Sequence, residues 1–475
     1  MRPRYHAAAM STPRSIARGA ALLGLCLSGL VAITWVRAGF SGTLRVDGAA
    51  LPLGLRVGLG ALWFLCSLAA MRLYLRAQAD LAQPPAECAA DPLRPLLWCA
   101  VALHVIAALA LPYSSNDIFS NLGYARMLRL GLDPYLAGPA ALPAADPFLA
   151  LVDAHWRSSP SIYGPVALFL NAFAGRANSV ASAVVLFKLG VLATSLATVF
   201  AVFAICRRHL SAPQAAPAFV FFAWNPLFLY ELSGEAHNDG VMVLFLVLFI
   251  WAALCKRELV ATLFLALAFL AKFAVAPVLG LYLALLLRRS PVKAICAALL
   301  VAFVSVLLFL PYWHGWRTVL GPLAAISADP TRVTRSYTDL LCLAAELFGP
   351  VARLWTYRVC WALGTLLLAA LGVRALVRAR TLEAVLHESL IYLLACALIA
   401  VPWYLSWYES WLLPLALVDR DPRLRRLVAV YTALSVIQWC INEPALQAAV
   451  INTTVLVLAV RYDRRGRRLA SPSRA

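Results

Sequence analysis

The sequence has few charged residues. Only 13% of its 475 residues are Asp, Glu, Lys or Arg, whereas 63% are hydrophobic. A soluble protein carries about 25% charged residues, and a disordered chain has still fewer apolar ones. These shortages exclude a soluble fold, a disordered chain and a fibrous chain. They leave an all-α protein whose helices cross the membrane many times.

Acidic residues are scarcer than basic ones, with 22 against 41, which gives a net charge of +19. In a soluble protein such an excess would suggest a nucleic-acid partner. In a membrane protein, however, Lys and Arg collect in cytoplasmic loops because they resist translocation. We therefore expect the lipid bilayer as a partner, and no nucleic acid.

Two kinds of motif are missing. The eleven cysteines include no CxxC pair, and most lie inside apolar runs as small hydrophobic residues. Neither a disulfide framework nor a cysteine metal site is predicted. The loop GxxxxGK[ST], which cradles nucleotide phosphates, does not occur either, so a nucleotide donor is not indicated. No cofactor and no metal-binding residue is assigned, although a divalent cation stays open.

Apolar runs of membrane-spanning length alternate with basic clusters. The first follows a basic N-terminus without a small-residue cleavage site, which favours a retained helix over a signal peptide. We expect one integral-membrane domain over residues 1–475, with about 12–14 crossings and a basic cytoplasmic tail at 461–475. The candidate spans are 18–36, 54–75, 95–112, 181–205, 214–232, 238–255, 294–310, 352–375, 387–403, 425–441 and 445–460.

Three further apolar segments must fit this topology if every basic cluster is cytoplasmic. Residues 259–287 are too long for one span, so they are predicted to go out and return as two short helices with Lys272 at the outer turn. Residues 406–418 return as a short span. Residues 162–175 are re-entrant or lie at the surface, because a full span there would reverse the topology around it.

Polar residues outside the basic clusters concentrate on the predicted outer side, first in an external loop at 113–160. Asp117 follows the third span, and residues 118–130 have an amphipathic pattern that ends at Gly131. This pattern predicts a helix lying flat in the interface, which would hold Asp117 above the membrane. A solvated helix end is the other interpretation of Asp117.

A second polar group lies between two apolar runs and comprises Glu231, Glu235, His237, Asn238 and Asp239. A helix cap by Asn238 or Asp239 would explain part of it. Three acids and a histidine so close together exceed what a cap needs. Polar groups at membrane depth are costly and usually functional.

Two more features lie on this side. Lys272 either snorkels to the surface or binds an anion. The aromatic run around Trp403 and Tyr404 is either an interfacial belt or a platform for a sugar ring. Together, an acid and a nearby cation suit transfer of a group from a lipid phosphate to a hydroxyl. The carboxylate would act as general base, and the cation would stabilise the leaving phosphate.

The ordered motifs resemble those of the GT-C superfamily of integral-membrane glycosyltransferases. They are most similar to the bacterial polyprenol-phosphomannose-dependent alpha-1,6-mannosyltransferase family. Asp133 stands where the family usually has Asn. The motifs are Asn116-Asp117-Ile118, Gly123-Tyr124-Ala125-Arg126, Gly131-Leu132-Asp133-Pro134-Tyr135, Tyr163-Gly164-Pro165, Trp224-Asn225-Pro226, Glu231, His237-Asn238-Asp239, Lys272 and Pro402-Trp403-Tyr404.

The resemblance implies an inverting glycosyltransferase of the bacterial plasma membrane with its site facing outside. The donor would be a polyprenyl-phosphate sugar, with mannose as the expected hexose, and the acceptor a glycan or glycolipid. Asp117 would be the catalytic base, and Lys272 and Arg126 would bind the donor phosphate. The expected substrate contacts are Asn116, Asp133, Tyr135, Tyr163, Glu231, His237, Asn238, Asp239, Trp403 and Tyr404.

Two other functions stay open at this point. A transporter or flippase of a lipid-linked sugar would also need many helices and buried polar groups. It predicts inverted repeats with paired broken helices, whereas the sequence offers one broken candidate, 259–287. A purely structural membrane partner would leave Asp117, His237 and Lys272 without a role.

Overall fold

The computed structural model describes residues 13–45, 51–82, 92–316, 318–319, 333–437 and 443–470. These residues form helices, turns and an isolated parallel bridge between Thr334 and Trp403, which confirms the all-α class. The helices are α1 Pro13–Ser41, α2 Leu53–Leu81, α3 Leu93–Ala108, α4 Asp117–Arg129, α5 Pro147–Leu151, α6 Pro165–Ala174, α7 Val180–His209, α8 Ala212–Ala223, α9 Asp239–Leu254, α10 Glu258–Ala271, α11 Ala276–Arg289, α12 Pro291–Phe309, α13 Tyr337–Glu346, α14 Pro350–Arg378, α15 Leu382–Ala395, α16 Leu412–Val418, α17 Pro422–Ser435 and α18 Pro444–Ala470.

Seven of the described helices are long and apolar enough to cross a bilayer, or eight if α8 and the π-helical turn after it form one bent span. Helices α3, α6, α9 and α10 are apolar but have only 10–17 residues. The predicted count of crossings depends on how these shorter helices are placed, and it stays a prediction. Of the predicted tail, residues 471–475 and the side chains of 462–470 lie outside the described part.

Helix α9 lies at the centre of the molecule. It is buried on nearly every side and packs against α7 and α10. Helix α14 is the opposite case, because only 11% of its apolar window is buried and its large side chains point outward. An apolar helix face that no protein covers is the face that lipid contacts. The main hydrophobic core contains residues from nearly the whole described chain, the first being Ile16 and the last Val455. The assignment of a single domain stays a prediction.

The predicted span 214–232 is interrupted. Helix α8 ends at Ala223, and a π-helical turn, Phe228–Gly234, continues at an angle of 47°. Pro226 has no N–H for the helical ladder, and the Asn225 Oδ1 accepts from the Leu227 N–H at 3.0 Å. The span therefore bends at Trp224-Asn225-Pro226. The last part of the predicted span 425–441, residues 438–441, lies outside the described residues.

The predicted break at Lys272 is confirmed. Helix α10 ends at Ala271, Lys272 has an extended backbone (φ −152°, ψ 127°), and α11 begins at Ala276. Helix α6 has ten residues and rises about 15 Å, too little to cross the bilayer alone. Both results agree with the predictions of two short helices within 259–287 and of no full span at 162–175.

The predicted helix at 118–130 forms, and other parts of the protein cover most of it; its orientation to the membrane stays a prediction. Helix α4 is buried on most sides, including the polar Ser120 and Asn121, and it packs against α5, α6 and α7. The segments that follow it in the chain fold back and cover its polar side. Helix α4 is therefore largely an internal element of the protein.

Gly164 allows the chain just before α6 to contact the break at Lys272. Its N–H donates to the Ala271 carbonyl at 3.2 Å. A Cβ at this position would lie 2.0 Å from the carbonyl oxygen of Leu270. Backbone cannot yield as a flexible side chain can, so only glycine fits this contact.

We predict that Gly164→Ala lowers the free energy of unfolding by about 1–3 kcal/mol, because the added methyl group forces backbone apart. The measurement is thermal unfolding of the purified protein in one detergent. Gly280→Ala in α11 is the matched control, since nothing lies within 4 Å of its Cβ position. Equal unfolding temperatures for the two variants would contradict the prediction.

Candidate active site

Asp117 is the first residue of α4, and its side chain is 26% exposed. One carboxylate oxygen lies 3.9 Å from the Nδ1 of His237. Burial raises the pKa of Asp117, and the charges of His237 and Lys272 oppose only part of that rise. A carboxylate with a raised pKa that remains accessible is suited to accept a proton from a bound hydroxyl.

His237 links Asp117 to a second, deeper acid. Its Nε2 lies 3.3 Å from Glu231, and its ring stacks on Trp407 with 3.7 Å between the centroids. Burial alone would lower the pKa of His237, but the hydrogen bond to Glu231 and the charges of Glu231 and Asp117 outweigh burial and raise it. The imidazole therefore lies between two carboxylates that favour its charged form.

The backbone of this segment is strained. Ala236 has φ 61°, a left-handed conformation that a non-glycine residue adopts at a cost of about 1–2 kcal/mol. It follows the π-helical turn and precedes His237, whose N–H donates to the Glu231 carbonyl at 3.2 Å. This reversal places the side chains of Glu231 and His237 next to each other.

Lys272 lies in an aromatic cage with one carboxylate. Its Nζ is 2.8 Å from Asp239, which also accepts from the Trp411 indole N–H at 2.6 Å. The ammonium lies 4.1 Å from the ring centre of Tyr408, 4.9 Å from that of Trp411 and 5.8 Å from that of Tyr163. With 13% of its side chain exposed, Lys272 does not snorkel.

A further layer lies behind Glu231. The Ser406 hydroxyl donates to Glu231 at 2.8 Å, and the Arg335 guanidinium approaches the same hydroxyl at 3.5 Å. Arg335 and Ser406 line a small cavity together with Tyr404 and Glu409. The predicted contact Tyr404 thus belongs to this deeper layer.

Asn238 does not cap α9 with its side chain. Its Nδ2 donates to the Asn121 Oδ1 at 3.1 Å, which ties the start of α9 to α4. Glu235 fixes the segment before Asp117, because its carboxylate accepts from the N–H groups of Tyr113 at 2.9 Å and Ser114 at 3.3 Å. Asn116 is the residue immediately before α4.

The assignment of Arg126 to the site is not supported by its position. Arg126 follows Asp117 by nine residues, which is about 180° around an α-helix and about 13.5 Å along it. Its Nε donates to Asp146 at 2.9 Å, and its guanidinium lies 5.4 Å from the centre of the Phe148 ring. Arg126 joins α4 to α5 on the side away from Asp117.

Asp133 and Tyr135 contact the site indirectly, through Tyr163. Asp133 accepts from the Tyr135 N–H at 2.8 Å, and its other oxygen lies 3.0 Å from His314. The Tyr135 hydroxyl donates to the Tyr163 carbonyl at 2.9 Å. These two residues thus hold Tyr163 against Lys272. Trp403 is half-buried at the edge of the site.

The sequence alone did not identify Arg335 or Ser406 as residues of the site, nor did it predict the contacts of Glu235. The aromatic spacing of Trp407 and Trp411 was a visible signal, whereas Arg335 resembles the other basic residues of the predicted outer loops. Among the residues that the structure describes, no group of three or more His, Cys, Asp or Glu side chains has the arrangement of a metal site.

This arrangement can be compared with known proteins. Residues 18–289, more than half of the chain, match the family described as Alpha-(1->6)-mannopyranosyltransferase, N-terminal domain. The chain belongs to this family. It is therefore a multi-pass membrane glycosyltransferase of the mannosyltransferase type, and the GT-C resemblance is confirmed. The matched region includes Asp117, His237 and Lys272 but ends before Arg335 and Trp403.

Several individual proteins are similar to this chain. Alpha-(1->6)-mannopyranosyltransferase A of Mycobacterium tuberculosis is 26% identical over 407 residues, which are 79% of this chain and 76% of the relative. Alpha-(1->6)-mannopyranosyltransferase B of Corynebacterium glutamicum is 32% identical over 141 residues, 29% of this chain and 23% of the relative. The A protein of the same species is 30% identical over 158 residues, 33% of this chain and 31% of the relative. The two Corynebacterium alignments each cover less than a third of the relative.

Proposed function

We propose that the protein transfers mannose from a polyprenyl-phosphate donor to a hydroxyl of a glycan or glycolipid on the external face of the bacterial plasma membrane. One observation carries this proposal. A partly exposed carboxylate, Asp117, lies 3.9 Å from the Nδ1 of His237, and two residues after His237, Asp239 pairs with the Lys272 ammonium at 2.8 Å, so an acid and a cation belong to one cluster. The names of the relatives support mannose as the sugar.

In the proposed reaction, the oxygen of the acceptor hydroxyl attacks the anomeric carbon of the donor. At the same time, Asp117 accepts the proton of that hydroxyl. The bond between that carbon and the phosphate oxygen breaks, and the electron pair leaves with the phosphate. A single displacement inverts the anomeric centre. If the product is α-(1→6)-linked, as in the names of the relatives, inversion requires a β-anomeric donor, and the acceptor hydroxyl is that of C6.

Lys272 is proposed to contact the donor phosphate. An ammonium has three N–H groups, and Asp239 accepts from one of them. A charge-assisted contact to the phosphate would stabilise the negative charge that develops as the leaving group departs. Tyr163 and Tyr408 would keep water away from this contact. Family membership argues against the transporter or flippase alternative.

We predict that Asp117→Asn lowers the rate of transfer by about 10²–10⁴-fold, because an amide cannot accept the proton. In the wild type the rate should fall as pH drops through the pKa of Asp117, which burial places above the ordinary value of about 3.9. The measurement is initial rate against pH with purified protein. Glu346→Gln removes a half-exposed carboxylate that pairs with Arg353 and serves as the control. A wild-type rate in Asp117→Asn would make this assignment wrong.

The donor proposal predicts transfer from polyprenyl-phosphate mannose and none from GDP-mannose, when each is the sole radiolabelled donor. Lys272→Met should lower kcat/KM for the lipid donor by at least the equivalent of about 1.5–3 kcal/mol, because the charged contact to the phosphate is lost and Asp239 also loses its partner. Lys293→Met removes a more exposed ammonium, 57% accessible, and is the control. Activity with GDP-mannose alone would overturn the proposed donor, and activity with a different polyprenyl-phosphate sugar would overturn mannose.

The external orientation predicts which thiols an impermeant reagent reaches in intact cells. Starting from a variant without the eleven native cysteines, Ala145→Cys in the loop after α4 should be labelled. Ser211→Cys, beside the basic end of α7, should be labelled only after the cells are opened. Both positions are exposed, so protein burial does not bias the comparison. The reverse pattern would place the site in the cytoplasm.

A further inference from the structure

Trp156 and Trp403 come from distant parts of the chain and meet at a right angle. Their ring centroids are 6.1 Å apart and their planes are inclined by 89°. Trp156 ends a short helical turn, Ala154–Trp156, in the external loop, and Trp403 follows the π-helical turn Cys396–Ala400. Both side chains are half-buried, so each indole keeps part of its surface open to solvent. We call this pair the indole corner.

Hydrogen bonds fix the main chain at both tryptophans. The Thr334 N–H donates to the Pro402 carbonyl at 3.1 Å, and the Tyr404 N–H donates to the Thr334 carbonyl at 3.1 Å, so two hydrogen bonds flank Trp403. On the other side, the Ser159 N–H donates to the Trp156 carbonyl at 3.1 Å. A surface fixed before its ligand arrives binds without the cost of ordering it.

The indole corner is continuous with the candidate active site. Trp403 lies five residues before Tyr408, whose ring covers Lys272. Trp407, four residues after Trp403, stacks on His237 next to Asp117. Four residues span at most about 14 Å. The corner is therefore near the base but separate from the reacting position.

We propose that the indole corner is a subsite for the acceptor glycan, which binds a sugar ring of the acceptor at a distance from the hydroxyl that reacts. This inference rests on the proposed function. One face of a pyranose ring carries C–H groups, and these pack favourably on the negative face of an aromatic ring. Two indoles at a right angle contact both a face and an edge of one sugar.

The surroundings favour a glycan over the lipid tail of a donor. Trp156 has polar neighbours in His155, Arg157 and Ser158 and belongs to the half-exposed external loop. An isoprenoid tail would instead lie against apolar helices at bilayer depth. An ordinary interfacial belt of tryptophans is the competing explanation, and the experiment separates the two because a belt does not bind sugar.

The test is a titration of the purified protein, without donor, with α-(1→6)-linked mannotetraose, followed by calorimetry. Trp156→Ala should bind the tetraose roughly three- to tenfold more weakly than the wild type. Trp156→Tyr keeps an aromatic ring and should fall between the two, so the test holds even if the alanine variant does not fold. Trp316→Ala is the matched control, because Trp316 is 71% exposed and also forms an edge-to-face pair, with Trp313 at 5.6 Å.

Transfer assays give a second readout that differs from simple loss of activity. The wild type should have a lower KM for the tetraose than for the disaccharide, and in Trp156→Ala the two values should converge. Equal tetraose binding by Trp156→Ala and wild type, or an equal loss in Trp316→Ala, would overturn the indole corner as a subsite. So would a wild type that does not bind the tetraose. A failure of the donor assay alone would contradict the proposed function while the binding result still stands.

Discussion

The ion pair between Lys272 and Asp239 joins the parts of the chain that form the site. Lys272 lies at the break between α10 and α11, and Asp239 begins α9, with 2.8 Å between the charged atoms. Either charge buried alone would cost several kcal/mol, so the break in the helix and the start of α9 must coincide in space. The Trp411 indole N–H donates to the same carboxylate, and Gly164 brings the start of α6 against the same break. Four separate segments therefore meet at this ion pair.

Backbone strain concentrates at the same place. Among the described residues, three non-glycine residues have a left-handed φ, and two of them, Ala236 at 61° and Arg335 at 51°, belong to the site. The third, Lys256, makes the tight turn between α9 and α10, which lets these helices pack along their lengths. Such conformations persist only where surrounding contacts fix them. Ala236 keeps this conformation because it is fully buried and because the chain must reverse within the few residues between Glu231 and His237.

The sequence predicts much of this site because its signals are local. An ammonium inside an overlong apolar run predicts a break, and the acids next to His237 exceed the needs of a helix cap. Helical periodicity also contained the evidence against Arg126, since a residue nine positions after Asp117 faces the other way. The pair Asn225-Pro226 is likewise a local signal for the bend in the predicted span 214–232.

Other features depend on contacts between distant segments and leave no local signal. The burial of α4 follows from the loop that folds over it, which the pattern of the helix itself does not record. Arg335 and Ser406 meet because the parallel bridge between Thr334 and Trp403 brings two loops together. A single bridge of this kind has no periodicity that a sequence could reveal.

The charges of the site also suggest how the proposed reaction would be driven. A polyprenyl-phosphate sugar is a phosphodiester with one negative charge, and the departing lipid phosphate gains a second. Because Asp239 already balances Lys272, the ammonium attracts the singly charged donor only moderately and responds most to the charge that develops in the transition state. In the same step Asp117 takes up a proton and loses its own negative charge. A negative charge thus disappears at Asp117 while another appears at the phosphate, so the cluster keeps its net charge and has no uncompensated charge to bury at any point of the transfer.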